Sequence, residues 1–332
     1  MKKYLFVFLF LIFSNCTFSQ KIKVFISGEK TSIRGLSVVN DNMIWVSGSN
    51  GMTGRSVDGG VTWKWRQVNG FEKTDFRDIE AFDANTAVIM GVAEPAYILK
   101  TVDAGETWKV VYENKTKGMF LDAMDFRNEK SGIVLGDPVN NKFFIARTFD
   151  GGNTWHDIPK QNCPVADSGE ACFASSGTNI RVLKNDNAYF VTGGLRSNLF
   201  IRNKKVDIPI LQGTQTTGAN SVAVKNKKTL IVVGGDFTKP DSTFKNCFIT
   251  NDGGRTWAAP LILPHGYRSC IEYLGKNRWI SCGLNGVDYS ADDGKTWQLI
   301  SNESFHVCRK AKDGNAVFLA GVNGKIGKLS ER

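Results

Sequence analysis

The chain has 332 residues, of which 42% are hydrophobic, and its 42 Lys and Arg against 32 Asp and Glu give a formal charge of +10. Its basic residues gather only in short clusters, Lys204-Lys205 and Lys225 to Lys228, at the ends of predicted strands, which excludes the long basic stripe of a nucleic-acid binder. A moderately basic surface still suits acidic partners.

Lys2 and Lys3 precede the apolar stretch Tyr4 to Phe13, and the small residues Thr17 and Ser19 stand just ahead of Gln20. This is the pattern of a secretory signal at 1–19 with cleavage before Gln20, so the expected location is periplasmic or extracellular. The alternative start is a lipid anchor on Cys16, although Phe13-Ser14-Asn15-Cys16 lacks the usual small residue before the cysteine. The apolar stretch is shorter than the roughly 20 residues of a membrane span. The remaining chain, 20–332, is expected to be a single domain and a monomer with no transmembrane segment.

From residue 21 onward the pattern is all β. Lys21 to Ser27 reads as a strand, followed by four more at Ser32 to Val39, Met43 to Gly48, Met52 to Val57 and Trp63 to Val68. β-branched and aromatic runs broken by Gly, Asn and Asp recur in this way along the whole chain. Five times the third strand runs into one phrase, Ser/Thr-x-Asp-x-Gly-x-Thr-Trp: SVDGGVTW, TVDAGETW, TFDGGNTW, TNDGGRTW and SADDGKTW. Its acids are Asp58, Asp103, Asp150, Asp252 and Asp292, and its tryptophans are Trp63, Trp108, Trp155, Trp257 and Trp297. The steps between the acids are 45, 47, 102 and 40 residues, so one copy has decayed near residue 203. A period of this size is that of propeller blades. Within the phrase, Asp closes a turn by accepting backbone N–H groups, Gly supplies a positive φ, and Trp packs against the neighbouring blade.

Four-stranded units then fall at about 75–113, 119–160, 170–210, 216–260 and 266–301, the one at 170–210 lacking its box. The tail from Phe305 to Leu329 has three strands, and Lys21 to Ser27 can supply its fourth, which would close the ring without an open edge. The expectation is therefore a seven-bladed propeller with four-stranded blades. A six-bladed ring would leave one unit without a place, and length alone, which suggests two domains, yields to the repeat.

The five phrases resemble the Asp-box, or BNR, repeat of sialidases, other glycoside hydrolases and several non-enzymatic propellers. Segments such as Tyr97 to Gly105 more closely resemble the photosystem II stability/assembly factor-like branch. That resemblance implies a scaffold for a protein or envelope complex and says little about chemistry, because one fold hosts many functions.

Blade topology puts the d–a and b–c connections on one face and the boxes on the other. Aligned by blade, the first positions of the innermost strands bring Arg34, Arg77 with Asp78, Asp122, Arg268 and His306 to the d–a mouth of the channel, with Glu94 arriving from a b–c loop. Arginines on several blades suit the acidic or C-terminal carboxylate groups of a protein partner. The alternative is a glycan-binding protein or sialidase-like hydrolase using the same mouth, with Asp78, Asp122 and Glu94 as its carboxylates. Against it, Ser32-Ile33-Arg34-Gly35 only faintly echoes the sialidase Arg-Ile-Pro signature, and Tyr267 beside Arg268 is the one Tyr near a strand start. Binding is the reading adopted; hydrolase activity is left open and no catalytic residue is assigned.

Six cysteines follow Cys16, and export permits disulfides. Cys163 with Cys172, across a loop, and Cys270 with Cys282, on two strands of a hairpin, are the candidate pairs. There is no CxxC, and the histidines at 156, 265 and 306 have no ligand spacing, so neither a metal nor a cofactor is expected. Val233-Gly234-Gly235-Asp236 lacks the lysine and helix of a phosphate loop.

Overall fold

The computed structural model describes residues 20–183 and 188–330. The expected signal segment, including Cys16, lies outside the described residues. Among those described, regular structure is β apart from two single-turn 3₁₀ segments, and no helix is long and apolar enough to cross a membrane.

Seven antiparallel blades surround a central axis. Lettering strands a to d from the axis outward, blade 1 is Ile33–Val38, Ile44–Gly48, Met52–Ser56 and Lys64–Gln67. Blade 2 is Phe76–Ala81, Ala87–Gly91, Ala96–Thr101 and Lys109–Asn114, and blade 3 is Leu121–Phe126, Gly132–Val139, Lys142–Thr148 and His156–Asp157. Blade 4 is Ile180–Val182, Ala188–Val191, Asn198–Ile201 and Lys204–Asp207. Blade 5 has Thr217–Val224, Leu230–Asp236 and Cys247–Thr250. Its strand d is reduced to Ala258, which exchanges backbone hydrogen bonds with Ile249 at 2.8 and 2.9 Å. Blade 6 is Cys270–Gly275, Arg278–Gly283, Gly286–Ser290 and Gln298–Ser301. Blade 7 takes three strands from the tail, Val307–Lys310, Val317–Ala320 and Lys325–Ser330, and its outer strand is Lys21–Ile26, paired antiparallel from Lys21↔Ser330 to Ile26↔Lys325. The ring closes as the repeat count requires.

Blade 4 departs from expectation. Its strand a begins at Ile180, not near 170. Glu170 and Ala171 instead pair with Gly194 and Gly193, and Gly193 continues onto Gly218 of blade 5. The residues between them, 172–179, leave the blade and enter the channel.

Each apolar cluster lies between neighbouring blades. Trp45, Ile79, Ile89 and Leu99 pack blade 1 on blade 2, and Phe143, Phe190 and Phe200 pack blade 3 on blade 4. Strand alternation explains this, since the two faces of every blade meet the next blade round the ring. The boxes fasten the same seams. In blade 2, Asp103 Oδ1 accepts Thr107 N at 2.9 Å and the Thr101 hydroxyl at 2.7 Å, and Thr107 Oγ1 donates to Oδ2. Gly105, at φ +82°, then lies against Trp45 of blade 1, and Trp108 meets the same ring edge-on at 6.5 Å. These hydrogen bonds stabilise the charged form and hold Asp58, Asp103 and Asp150 down at about 2.

All six described cysteines are free and buried, so neither candidate pair is bonded. Cys270 and Cys282 do face each other across the hairpin, but the sulfur of Cys270 lies 3.6 Å from that of Cys308 in the next blade. Cys163 offers its thiol to Ile158 O in the blade 3 seam, whereas Cys172 turns into the channel.

Candidate functional site

Four innermost strands share one irregularity. Register slips between Ile33 and Gly35, Phe76 and Asp78, Leu121 and Ala123, and Ala219 and Ser221. The residues in the slips are Arg34, Arg77, Asp122 and Asn220, and a bulge of this kind re-aims its side chain. Arg34, Arg77 and Asn220 line a cavity of about 480 Å³ at the d–a mouth, together with His306 and the aromatic residues Phe120, Phe173, Phe237 and Tyr267.

The floor of this cavity is the segment 172–179, which reaches from blade 4 to six other blades. Arg34 Nη1 of blade 1 donates to Ser175 O at 3.1 Å, Arg77 Nη1 of blade 2 to Ala174 O at 3.5 Å, and Arg309 Nη2 of blade 7 to Gly177 O at 3.1 Å. Cys172 N donates to Asp137 Oδ1 of blade 3 at 2.8 Å. Ser176 Oγ donates to Ser269 O of blade 6 at 2.7 Å, and the Thr178 and Ser221 hydroxyls are 2.6 Å apart. Small polar residues allow this path. Gly177 has φ +63°, and a Cβ there would lie 2.3 Å from the Asp78 carboxyl carbon. The channel is thus plugged by its own chain, and carbonyl oxygens face the arginines.

The expected mouth residues separate into three groups. Arg34, Arg77 and His306 reach the cavity. Arg77 Nε also donates to Asp75 Oδ2 at 2.7 Å, and its guanidinium stands 5.9 Å from the Phe120 ring. His306 Nδ1 donates to Ile33 O at 2.9 Å; burial, then Arg34 and Arg77, push its pKa down to about 4, so the ring is neutral. Burial first, then Arg77, also lowers the pKa of Arg34.

Arg268 does not reach the mouth. It is fully buried, its Nε and Nη2 donating to Asp288 Oδ2 and its Nη1 to Asn285 Oδ1 and Tyr267 O. Blade 6 has no slip at this position, so the pleat turns Tyr267 and Ser269 to the cavity and Arg268 away from it.

The carboxylates do not converge on a sugar-sized pocket. Asp78 accepts Ile79 N at 2.9 Å and Met124 N at 2.7 Å, tying blade 2 to blade 3 in the interior, where burial raises its pKa to about 8. Glu94 stands on an exposed loop and accepts Gly118 N. Asp122 is fully buried behind the wall. The carboxylate lining the cavity is Asp137, in strand b of blade 3; burial raises it to about 6. Its signal would have been the slip between Gly136 and Pro138, which re-aims it.

The opposite end of the channel is closed by charge. Arg181 pairs with Glu272 at 3.0 Å, Arg309 with Glu272 at 4.0 Å and Lys312 with Glu80 at 2.6 Å. At the d–a mouth Arg34 and Arg77 stand instead beside the apolar rings of the cavity.

Residues 20–119 match the family described as photosynthesis system II assembly factor YCF48. No curated protein matches the chain in sequence. Among solved structures, YCF48 bound to D1 peptide superposes with a TM-score of 0.65 at 17% identity, covering 92% of this chain and 94% of that one. YCF48 from Cyanidioschyzon merolae gives 0.64 at 15% identity, covering 93% and 98%, and the WD40 propeller domain of Doa1 gives 0.62 at 12%, covering 94% and 97%. The chain is a BNR-type propeller that resembles the photosystem II assembly factor.

Proposed function

We propose that this propeller is an assembly-factor-like binding scaffold that docks an acidic or C-terminal segment of a partner protein at its d–a mouth, and that it acts outside the cytoplasm after export. The carrying observation is the pairing of Arg34 and Arg77 at one cavity, with main-chain carbonyls of residues 174 and 175 as acceptors. A carbonyl accepts one N–H of a guanidinium that can donate two parallel hydrogen bonds to a carboxylate, so an incoming carboxylate is the stronger partner. The aromatic walls, Phe120, Phe173 and Phe237, suit the apolar side chains flanking such a group. The solved complex of YCF48 with D1 peptide supports a protein segment as the class of ligand.

The test is affinity capture from the envelope fraction of the producing cell, wild type beside an Arg34→Ala/Arg77→Ala double variant. A specific protein captured by the wild type and lost from the double variant is expected. Capture of polysaccharide instead, or of the same protein by both, would refute the proposal. Arg268→Ala has no place in this comparison, because it removes the buried cation paired with Asp288, leaving that carboxylate to His265, and costs about 3–5 kcal/mol of stability whatever binds.

A further inference from the structure

In and behind the cavity wall, three groups distant in sequence meet. Asp122 sits in the slip at the start of strand a of blade 3, Asp137 in the slip of the facing strand b, and Cys172 at the entrance of the plug. One ligand atom from each, two carboxylate oxygens and a sulfur, all lie within 4.8 Å of one another. The slip at Asp122 lies between strands a and b and that at Asp137 between strands b and c, and the Cys172 amide is clamped to Asp137 Oδ1 at 2.8 Å.

A second observation shows what this arrangement lacks. Asp122 is completely buried, and neither of its carboxylate oxygens has a hydrogen-bond partner. The Asp137 amide, which it faces, gives its hydrogen to Phe120 O at 2.9 Å instead. A buried carboxylate with both oxygens bare is expensive unless something positive completes it. Arg77 acts on it electrostatically but donates to Asp75 and Ala174.

We propose that Asp122, Asp137 and Cys172 hold one divalent cation of the zinc class. Two oxygens and one sulfur are a borderline donor set, too soft for magnesium or calcium and fitting zinc. Zinc–ligand lengths of about 2.0–2.3 Å separate neighbouring ligands by roughly 3.5 Å, within reach of the present spacing after small side-chain rotations. Two carboxylates and a thiolate carry three negative charges, of which a dication offsets two, and Arg77 acts on the remainder electrostatically. Binding releases the thiol proton and any proton the carboxylates share. Asp137 and Cys172 line the cavity, so the ion has an entry and keeps a fourth position open toward it. The other thiol cluster, Cys270, Cys282 and Cys308, also has its sulfurs within 4.8 Å but lies in the apolar core between blades, with none of the three lining that cavity. The inference stands whatever docks at the mouth.

The experiment is Zn²⁺ titration of the reduced protein against a chromophoric chelator, repeated with Co²⁺ to read thiolate-to-metal charge transfer. One equivalent bound at micromolar protein is expected, with a charge-transfer band. At least a tenfold loss of affinity is expected in Asp122→Asn and in Cys172→Ser, with no change in Cys308→Ser. If Asp122→Asn fails to fold, Cys172→Ser, at the cavity edge, decides alone. Absence of binding to the wild type overturns the proposal. So does binding that survives Cys172→Ser, and its loss in Cys308→Ser would then assign the metal to the three-cysteine cluster.

Discussion

His306 shows how a single position at the mouth couples to the stability of the ring. Its imidazole is buried, donates to Ile33 across the seam between blades 7 and 1, and is held at about 4 against an ordinary 6.5. The folded state therefore binds fewer protons than the unfolded state between these values. The stabilising contribution is complete above pH 6.5 and is lost progressively as pH falls through 4, amounting to about 3 kcal/mol if the whole shift is expressed. His306→Asn keeps a donor for Ile33 O and cannot titrate. Thermal melts from pH 7 to pH 4 should fall more steeply for the wild type than for the variant; parallel curves would show that the ring is not the titrating element. Arg34 and Arg77 belong to the same scale. If they serve the proposed docking, their replacement should abolish capture of the partner and leave the melts near those of the wild type.

At the scale of the element, the Asp-box is a fastener between blades. In blade 6 the Ser290 hydroxyl donates to Asp292 and accepts Gly294 N, while Gly294, at φ +82°, lies against Ile231 of blade 5. Trp297 is buried in the seam between these blades with Ile231, Ile249 and Ile271. Trp297→Ala should cost about 3–5 kcal/mol in urea unfolding, the range for emptying a large aromatic site. Val61→Ala, in an exposed box position, should stay within about 0.5 kcal/mol. Blade 4 shows how the seam survives without the box: Phe190 and Phe200 stack at 4.5 Å and Phe143 of blade 3 meets both edge-on.

At the scale of the whole molecule, the two ends of the chain meet in blade 7. Lys21–Ile26 covers the edge of Lys325–Ser330 along six residue pairs, and Ser330 Oγ also donates to Lys21 O. Removing residues 21–26 uncovers a strand edge, a template for pairing with another chain. The shortened protein should melt lower than the Trp297→Ala variant and elute as larger species in size exclusion. An unchanged melt with a monomeric profile would mean that six blades and three strands suffice. The plug belongs to this scale too: one segment of eight residues receives hydrogen bonds from or gives them to blades 1, 2, 3, 5, 6 and 7, so the mouth is shaped by the closed ring and by no blade alone.

Blade number, box role and ring closure were legible in the residues, because a turn's Asp, Gly and Trp act over a few positions and repeat with the blade. Arg34, Arg77 and His306 were legible as mouth residues for the same reason, since one offset in one repeat places them. Arg268 was not, because a single missing bulge reverses the pleat and sends its guanidinium to Asp288. The plug was not, because Ser175, Ser176 and Gly177 look like a strand start until the closed ring brings Arg34, Ser269 and Arg309 to them. The meeting of Asp122, Asp137 and Cys172 was the least visible of all: bulges in two strands and a loop from the next blade bring them together, and such long-range proximity exists only after the ring has closed.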